Sequence, residues 1–323
     1  PERIESKLGD AEALEMHLLG LISGKKLLKY IDIIDFFEGT LYSHQENQKK
    51  IIMRLNLTLE HLVKGELIKK QHDIYKPTIF GLRTSQLYIT PSTAIILKKQ
   101  IEMITENNFH PLKYLYLIMN TPNMPLFSLY KKEIFGLTQK HSKFKDKIFT
   151  DKKPLTTTLG FSTAYDQSNF NSFDDWFNLD YPDNDDLQKL KSALTLYDWI
   201  SETSEDKILD KWNVAPGDLH SSANICEWLL YSASQISLLL NKKILSKSFL
   251  RYSKRMKYGI KDELLNLIEL KSIGRFRARN LYNKNFKNII DISQSSYTDL
   301  MKISGIGETL AKSLIDNAKS NIK

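Results

Sequence analysis

The chain has 323 residues, enough for two or three domains, and its 41% hydrophobic and 26% charged residues are ordinary for a soluble globular protein. A single cysteine, Cys226, excludes an internal disulfide framework and, with only seven scattered histidines, any Cys/His zinc pattern; it suits a reducing cytoplasm. No uninterrupted apolar run reaches about 18 residues, so we expect no membrane span and a cytoplasmic location.

The net charge of +8 is concentrated at the end of the chain. Residues 251–323 contain 15 Lys and Arg against 7 Asp and Glu, which leaves the first 250 residues close to neutral. Such a local basic excess is typical of a nucleic-acid-binding module, and a solubilising basic surface is the alternative.

The first predicted elements are helices over residues 11–22, 27–41 and 47–64, followed by short β-like segments in residues 67–80 and 86–90. Three helices and a two-stranded ribbon are the order of a winged helix, which often binds DNA through its third helix. That helix has only Lys49, Lys50 and Arg54 in its first half, so the pattern favours a packing role over duplex reading.

Residues 92–241 are mostly helical, because apolar residues recur at three- and four-residue steps in "PLKYLYLIMNT" and "LQKLKSALTLYDWI". This indicates a helical bundle. The segment Lys140–Asp186 is polar and irregular, and it ends in the acidic run "FNSFDDWFNLDYPDNDD". Its carboxylates match no ligand motif, so we interpret it as a solvated acidic loop and predict no metal site.

The stretch "KWNVAPGDLHSSANICEWLLYSASQI", Lys211 to Ile236, predicts one long amphipathic helix with Asp218 as its N-cap. One face is apolar and should be core; it includes Cys226, which we expect to be a buried, inert thiol. The opposite face carries His220, Ser221, Asn224, Trp228, Tyr231 and Gln235.

Trp228 on that polar face has two interpretations. An isolated tryptophan most often packs against a neighbouring helix. A helix lined with small polar groups and aromatics also suits a channel for single-stranded nucleic acid, because bases stack on aromatic rings regardless of sequence, at about 1–3 kcal/mol each.

The last part of the chain contains a short internal repeat, "ELLNLIELKSIGRFRARNLYNKNF" and "YTDLMKISGIGETLAKSLIDNA". Each copy has a tight turn between two helices, and an alanine follows each turn at the same offset. This is the helix-hairpin-helix signature, in which glycines and a helix start let a phosphate approach the backbone. The DNA-contact candidates are Lys271, Gly274, Arg275, Arg277 and Arg279 in the first copy, and Gly305, Gly307 and Lys312 in the second. The second copy contains Glu308 and is poorer in charge, so a structural pairing role is its alternative.

Three segments, "GLRTSQLYITPSTA", "APGDLHSSANICEWLLYSA" and "KYGIKDELLNLIELKSIGRFRARNLY", together resemble the C-terminal half of archaeal superfamily-two DNA helicases of the Ski-type class, which are related to the polymerase-theta helicase. "SKLGDAEALEMHLLGLI" resembles the start of their winged-helix domain. The resemblance implies a mainly α fold: a winged helix over residues 1–90, a helical ratchet bundle over 91–250, and a tandem helix-hairpin-helix domain over 251–323.

The resemblance also implies a function. In that family, RecA-like motor domains of the same polypeptide bind ATP and Mg²⁺ and drive 3′-to-5′ movement on single-stranded DNA at replication forks. Trp228 corresponds to a base-stacking tryptophan, and Ser221 stands where relatives often have a basic residue, which His220 or Asn224 could replace. The expected partners are single-stranded or forked DNA and the motor domains, with the protein acting as a monomer in fork repair.

The sequence has no G-x-x-x-x-G-K-[ST] phosphate loop, so we expect no cofactor in this chain and no unwinding by this chain alone. Two alternatives stay open. One is a scaffold or RNA-binding module of a related RNA helicase, and the other is a regulator that lacks a motor.

Overall fold

The computed structural model describes residues 4–104, 110–148 and 182–322. Within them the protein has sixteen α-helices and a single three-stranded sheet, which confirms the mainly α fold. The predicted irregular loop Lys140–Asp186 is wrong at both ends, where residues 140–148 and 184–186 are helical, and its part between residues 149 and 181 lies outside the described residues.

The first part of the chain is a small helical unit with an antiparallel sheet of order β1-β3-β2. Its apolar core is formed by leucines of the first and fourth helices, among them Leu18 and Leu62, packed against Tyr75 of the sheet. In chain order the elements are a 3₁₀ turn (Lys7–Gly9), α1 (Ala11–Lys25), β1 (Leu28–Lys29), α2 (Tyr30–Glu38), α3 (Leu41–Gln45), α4 (Gln48–Lys64), β2 (Ile68–Gln71), β3 (Ile74–Pro77) and α5 (Ile79–Leu87).

The expectation of a β-like segment over residues 86–90 is wrong, because α5 continues to Leu87. The Thr78 hydroxyl caps this helix by accepting the N–H of Gly81 at 2.9 Å. A Cβ at Gly81 would lie 1.9 Å from the carbonyl oxygen of Leu67, so α5 packs directly on the backbone before β2. These tertiary contacts override the local β propensity of the sequence.

A helical bundle follows, and its centre is the second of its helices, in which every residue from Leu112 to Met119 is buried. The last two helices of the bundle pack along each other, and the buried hydroxyls of Ser234 and Ser246 meet between them at 3.3 Å. The elements are α6 (Pro91–Met103), α7 (Pro111–Met119), α8 (Lys131–Ile148), α9 (Asn184–Ile200), α10 (Glu205–Trp212), α11 (Pro216–Leu239) and α12 (Lys243–Tyr258).

The final unit has its own apolar core, to which the two copies of the repeat contribute equivalent residues, Ala278 with Ala311 and Leu281 with Leu314. This equivalence confirms the repeat plan. The elements are 3₁₀ turns at Asp262–Leu264 and Leu267–Glu269, then α13 (Arg275–Asn283), α14 (Ile289–Ser293), α15 (Tyr297–Met301) and α16 (Glu308–Ile322).

The cores refine the predicted division of the chain. A boundary between residues 250 and 251 would cut α12, whose Phe249 and Met256 both belong to the bundle core. The core of the final unit begins at Ile260, so the change of core falls at Gly259.

Candidate nucleic-acid interface

The long helix predicted around Trp228 is α11. It begins at Pro216, with Ala215 in the N-cap position, so the prediction of Asp218 as the cap is wrong; Asp218 lies in the first turn. Proline suits the first helical position because that N–H has no intrahelical partner in any case, and Asp218 there interacts favourably with the helix dipole. The buried face includes Leu219, Ala223, Cys226, Leu230 and Ala233, as the apolar spacing predicts, whereas Leu240, predicted on the same face, is the C-cap and only half-buried.

Cys226 is an inert thiol by its position. It is fully buried among apolar side chains, and burial raises the pKa of its thiol well above the ordinary value. A thiolate is therefore not formed near neutral pH.

The opposite face of α11 is open to solvent. His220, Ser221, Asn224 and Tyr231 are exposed, while Trp228 is half-buried. The helix contains no Lys or Arg, and its charged residues are Asp218 and Glu227. This face therefore offers polar groups and rings, and no positive side chain to neutralise a phosphate.

His220 is held by two neighbours. Its Nε2 lies 3.0 Å from the Glu205 carboxylate, and its ring meets the edge of Trp199 at 5.2 Å between centroids. Glu205 thus places a negative charge beside His220, and whether His220 replaces the basic residue that Ser221 lacks stays a prediction.

Trp228 connects the bundle to the winged helix. Its indole N–H donates to the carbonyl oxygen of Leu87 at 2.9 Å, and its ring packs partly on the bundle core. Arg83, one turn earlier in α5, donates to the Gln235 side chain at 2.6 Å. The two contacts fix α5 along α11 and orient the indole of the half-buried Trp228.

Two of the three basic residues predicted in the first half of α4 have partners within the winged helix, whereas Lys49 is exposed. Arg54 donates to the carbonyl oxygen of Gly9 and to the Tyr42 hydroxyl, both at 2.8 Å, and Lys50 forms an ion pair with Glu46 at 2.6 Å. These partners favour the packing role of this helix over duplex reading.

The two turns of the repeat differ in one respect from the predicted glycine pattern. Gly305 takes the left-handed conformation (φ +86°) in the second turn, and the equivalent residue of the first turn is Ser272 (φ +65°). Gly274 and Gly307 precede α13 and α16, and no atom lies within 4 Å of where their Cβ would be. Both glycines thus leave open space at a helix start.

Each of the three predicted DNA-contact arginines has a protein partner. Arg275 donates to the carbonyl oxygen of Thr203 at 2.7 Å and lies 4.5 Å over the ring of Trp199, and burial lowers its pKa. Arg279 binds both Glu202 and Glu263, and the hydrogen bond to Glu202 raises its pKa.

Arg277 differs from Arg275 and Arg279 because its partners lie in the two turns of the repeat. It donates to the carbonyl oxygens of Ser272 at 2.8 Å and Gly305 at 2.9 Å, so one guanidinium ties the two turns together. The shared helix face of Arg275 and Arg279 is as predicted, but it faces the bundle. Their contact with DNA stays a prediction.

The two predicted lysines, one in each copy of the repeat, also differ in whether they have a partner. Lys312 is paired with Glu308 at 2.6 Å on the exposed surface, whereas Lys271 is exposed beside the first turn. Exposed lysines that the sequence did not single out, Lys284 and Lys319, belong to the same unit.

The acidic residues that begin α9 form a compact group. Asp183, Asp185 and Asp186 have carboxylate oxygens within 4.8 Å of one another, and Asp183 caps the helix by accepting the Asp186 N–H at 2.8 Å. Burial, with the nearby Asp183 charge, raises the pKa of Asp186 to about 6. Capping and a helix N-terminus account for this group of carboxylates.

Sequence reasoning missed two kinds of residue. Trp199 and Glu202 gave no local signal, since their role depends on partners far along the chain. Phe276 did give a local signal, because it stands between arginines in "GRFRAR" at a helix start, and it is 64% exposed.

Within the three described segments, no helix combines the length and apolar character needed to cross a bilayer.

Comparison with known proteins gives matches along the chain. Residues 161–259 match the family "Archaeal helicase, domain 4", and residues 264–320 match the family "SAM-like Helix-hairpin-helix tandem". Proteins described as ATP-dependent DNA helicase Hel308 are similar over almost the whole chain. That of Pyrococcus horikoshii is 31% identical over 330 residues, covering 100% of this chain and 42% of the relative.

Two further Hel308 helicases show the same relation. The protein of Thermococcus kodakarensis is 30% identical over 95% of this chain and 25% of its own length. The protein of Thermoplasma volcanium is 26% identical over 99% of this chain and 41% of its own length. The chain thus spans less than half the length of these curated relatives.

Proposed function

Because this chain is homologous over its full length to the C-terminal part of archaeal Hel308 DNA helicases, we propose that it is the strand-binding part of an ATP-dependent DNA helicase. Its ligand is single-stranded or forked DNA. The observation that carries the proposal is the solvent-open polar face of α11, with Trp228 fixed in orientation at its middle.

The chemistry of that face indicates how a strand would lie on it. With no Lys or Arg on α11 and Glu205 beside His220, phosphates gain nothing by facing the helix. Bases gain a stacking partner in Trp228 and polar partners in Ser221 and Asn224. We therefore propose that the bases face α11 and that the phosphates face away from it.

Nucleotide hydrolysis belongs to a different part of the polypeptide. The sequence of this chain has no phosphate-loop motif, so we propose that RecA-like motor domains of the same polypeptide hold ATP and Mg²⁺. The motor would drive 3′-to-5′ movement in fork repair, and this chain would hold the strand between steps.

Replacement of Trp228 tests the proposal. Trp228→Ala should weaken binding of the 323-residue chain to a labelled single-stranded oligonucleotide by about five- to 150-fold, since one stacked base is worth about 1–3 kcal/mol. Fluorescence anisotropy measures the affinity, and thermal unfolding shows whether the variant is folded.

Trp228→Phe is the matched control, because it keeps a stacking ring and removes the donor to Leu87. It should bind DNA within a few-fold of the wild type while unfolding at a lower temperature. A folded Trp228→Ala protein with wild-type DNA affinity would refute the stacking role. Tighter binding to an RNA strand of matched sequence would instead favour the RNA-helicase alternative.

A further inference from the structure

Phe276 is an apolar side chain that the final unit leaves in solvent. Around it in the same hairpin, Ile273, Ala278 and Leu281 are buried, while Phe276 is 64% exposed. A ligand can cover this ring without a change in the fold. The chemistry of that ligand is therefore what the surroundings of the ring must indicate.

The backbone on each side of Phe276 is held in place. Arg275 is bonded to Thr203 in the bundle, and Arg277 is bonded to the carbonyl oxygens of Ser272 and Gly305. One atom of the Phe276 ring lies 3.6 Å from the position that a Cβ on Gly305 would occupy. Phe276 is therefore an exposed ring on a held backbone where the two turns meet, and a ligand that covers the ring has only its side-chain torsions to order.

The charge of the surrounding unit indicates the ligand. Residues 260–323 carry 11 Lys and Arg against 7 Asp and Glu, a net charge of +4, and exposed lysines, among them Lys271 of the first turn, remain without an acidic partner among the described residues. A polyanion that also offers planar apolar faces is a nucleic acid. Single-stranded DNA exposes those faces, whereas a duplex keeps its bases stacked against each other.

The second copy of the repeat supports this choice by contrast. The position equivalent to Phe276, two residues after the last glycine of the turn, is Thr309, a polar exposed residue. An aromatic ring is therefore not required for the hairpin to fold. It is a property of the first turn alone.

We propose that Phe276 stacks on a base of single-stranded DNA held at the hairpin turns, as a second aromatic contact besides Trp228. This inference rests on the proposed function. If so, the final unit, called the hairpin unit below, binds unpaired bases in addition to any contact with phosphates.

The experiment compares Phe276→Ala, Phe276→Leu and Phe276→Tyr in the 323-residue chain. Binding is measured with single-stranded DNA containing 2-aminopurine, whose fluorescence reports stacking. We expect Ala and Leu to weaken binding about five- to 150-fold and to leave the probe unstacked, while Tyr stays within about twofold of the wild type. The dependence of affinity on salt should keep its slope, because the ring neutralises no phosphate.

Ile290→Ala is the matched control, since Ile290 is an apolar residue of the same unit with 53% exposure. It should bind DNA as the wild type does. An oligonucleotide with abasic sites throughout should bind all Phe276 variants equally.

Three results would overturn the inference. Leu binding as tightly as Tyr would mean that Phe276 offers only bulk, and wild-type binding by folded Phe276→Ala would mean that the ring makes no contact with the strand. In both cases a loss of binding by Trp228→Ala would leave the proposed function standing. If the wild-type chain does not bind single-stranded DNA, both fail together.

Discussion

Ser272 and Gly305 occupy the same place in the two turns, and both have a positive φ. The left-handed conformation costs a side-chain-bearing residue about 1–2 kcal/mol, and glycine adopts it freely. The first turn is therefore strained and the second is not. The strain persists because Arg277 bonds the backbone carbonyls of both residues and leaves Ser272 little freedom.

Opposite substitutions at these two positions should change stability in opposite directions. Gly305→Ala should destabilise the protein by about 1 kcal/mol through backbone strain alone, since its Cβ would make only ordinary contacts with Phe276. Ser272→Gly should stabilise it by up to about 1 kcal/mol. Urea denaturation followed by circular dichroism measures both. Equal shifts of the same sign would contradict the conformations described for the turns.

Among the elements, α5 and α11 show most clearly what local sequence can and cannot predict. The apolar period of α11 and the polar residues opposite it were readable from the sequence because helix faces follow from spacing. The helical state of residues 86 and 87 was not, because it depends on the contact of Gly81 with Leu67 and on Leu87 joining the bundle core. The local sequence pattern predicts neither contact.

A glycine pair tests the packing of α5. Gly81→Ala would place a methyl group on the carbonyl oxygen of Leu67, so we expect a loss of at least about 1–3 kcal/mol and weaker contact between α5 and α11. Gly20→Ala in α1 meets no atom within 4 Å and should stabilise the protein by up to about 1 kcal/mol, since alanine favours helices. Thermal unfolding of both variants provides the comparison, and a harmless Gly81→Ala would show that α5 does not lie on residue 67.

At the scale of the whole molecule, the hairpin unit is docked on the bundle by side chains that the sequence assigned to DNA. The repeat, the basic excess and the order of units were predictable, because each is a pattern within the chain. The partners of Arg275 and Arg279 were not, because Thr203 and Glu202 lie more than seventy residues earlier. The local sequence of a DNA-binding motif does not predict whether its basic residues bind the ligand or another domain.

The ion pair between Arg279 and Glu263 lies within the final unit, and its contribution to stability should depend on acid. Burial acts to raise the pKa of Glu263, but the hydrogen bonds from Arg279 and from the backbone, with the charges of Arg279 and Lys261, together lower the pKa below its ordinary value of 4.5. A carboxyl group with a lowered pKa stabilises the folded state above its unfolded pKa and loses that contribution as the pH falls through the folded value. The stability of the unit should thus be constant in this respect from about pH 5 upward and fall below about pH 4.5, which urea denaturation at a series of pH values measures.

Small-angle scattering at neutral pH tests the docking of this unit on the bundle. Arg279→Gln, which removes the ion pair with Glu202 of the bundle, should have a larger radius of gyration than the wild type, whereas Lys302→Gln, which removes only a surface pair with Asp299, should behave as the wild type. A compact Arg279→Gln protein would show that Glu202 does not hold the unit in place.

Trp199 has a mechanical consequence. Its indole contacts the ring of His220, in the first turns of α11, and the guanidinium of Arg275, at the start of α13. The indole N–H donates to the Met256 carbonyl oxygen. The covalent route between His220 and Arg275 runs through all of α11 and α12. A force applied along α11 therefore has a route to the final unit through the Trp199 ring, besides the route along the chain and the contacts of Arg275 and Arg279 with the bundle.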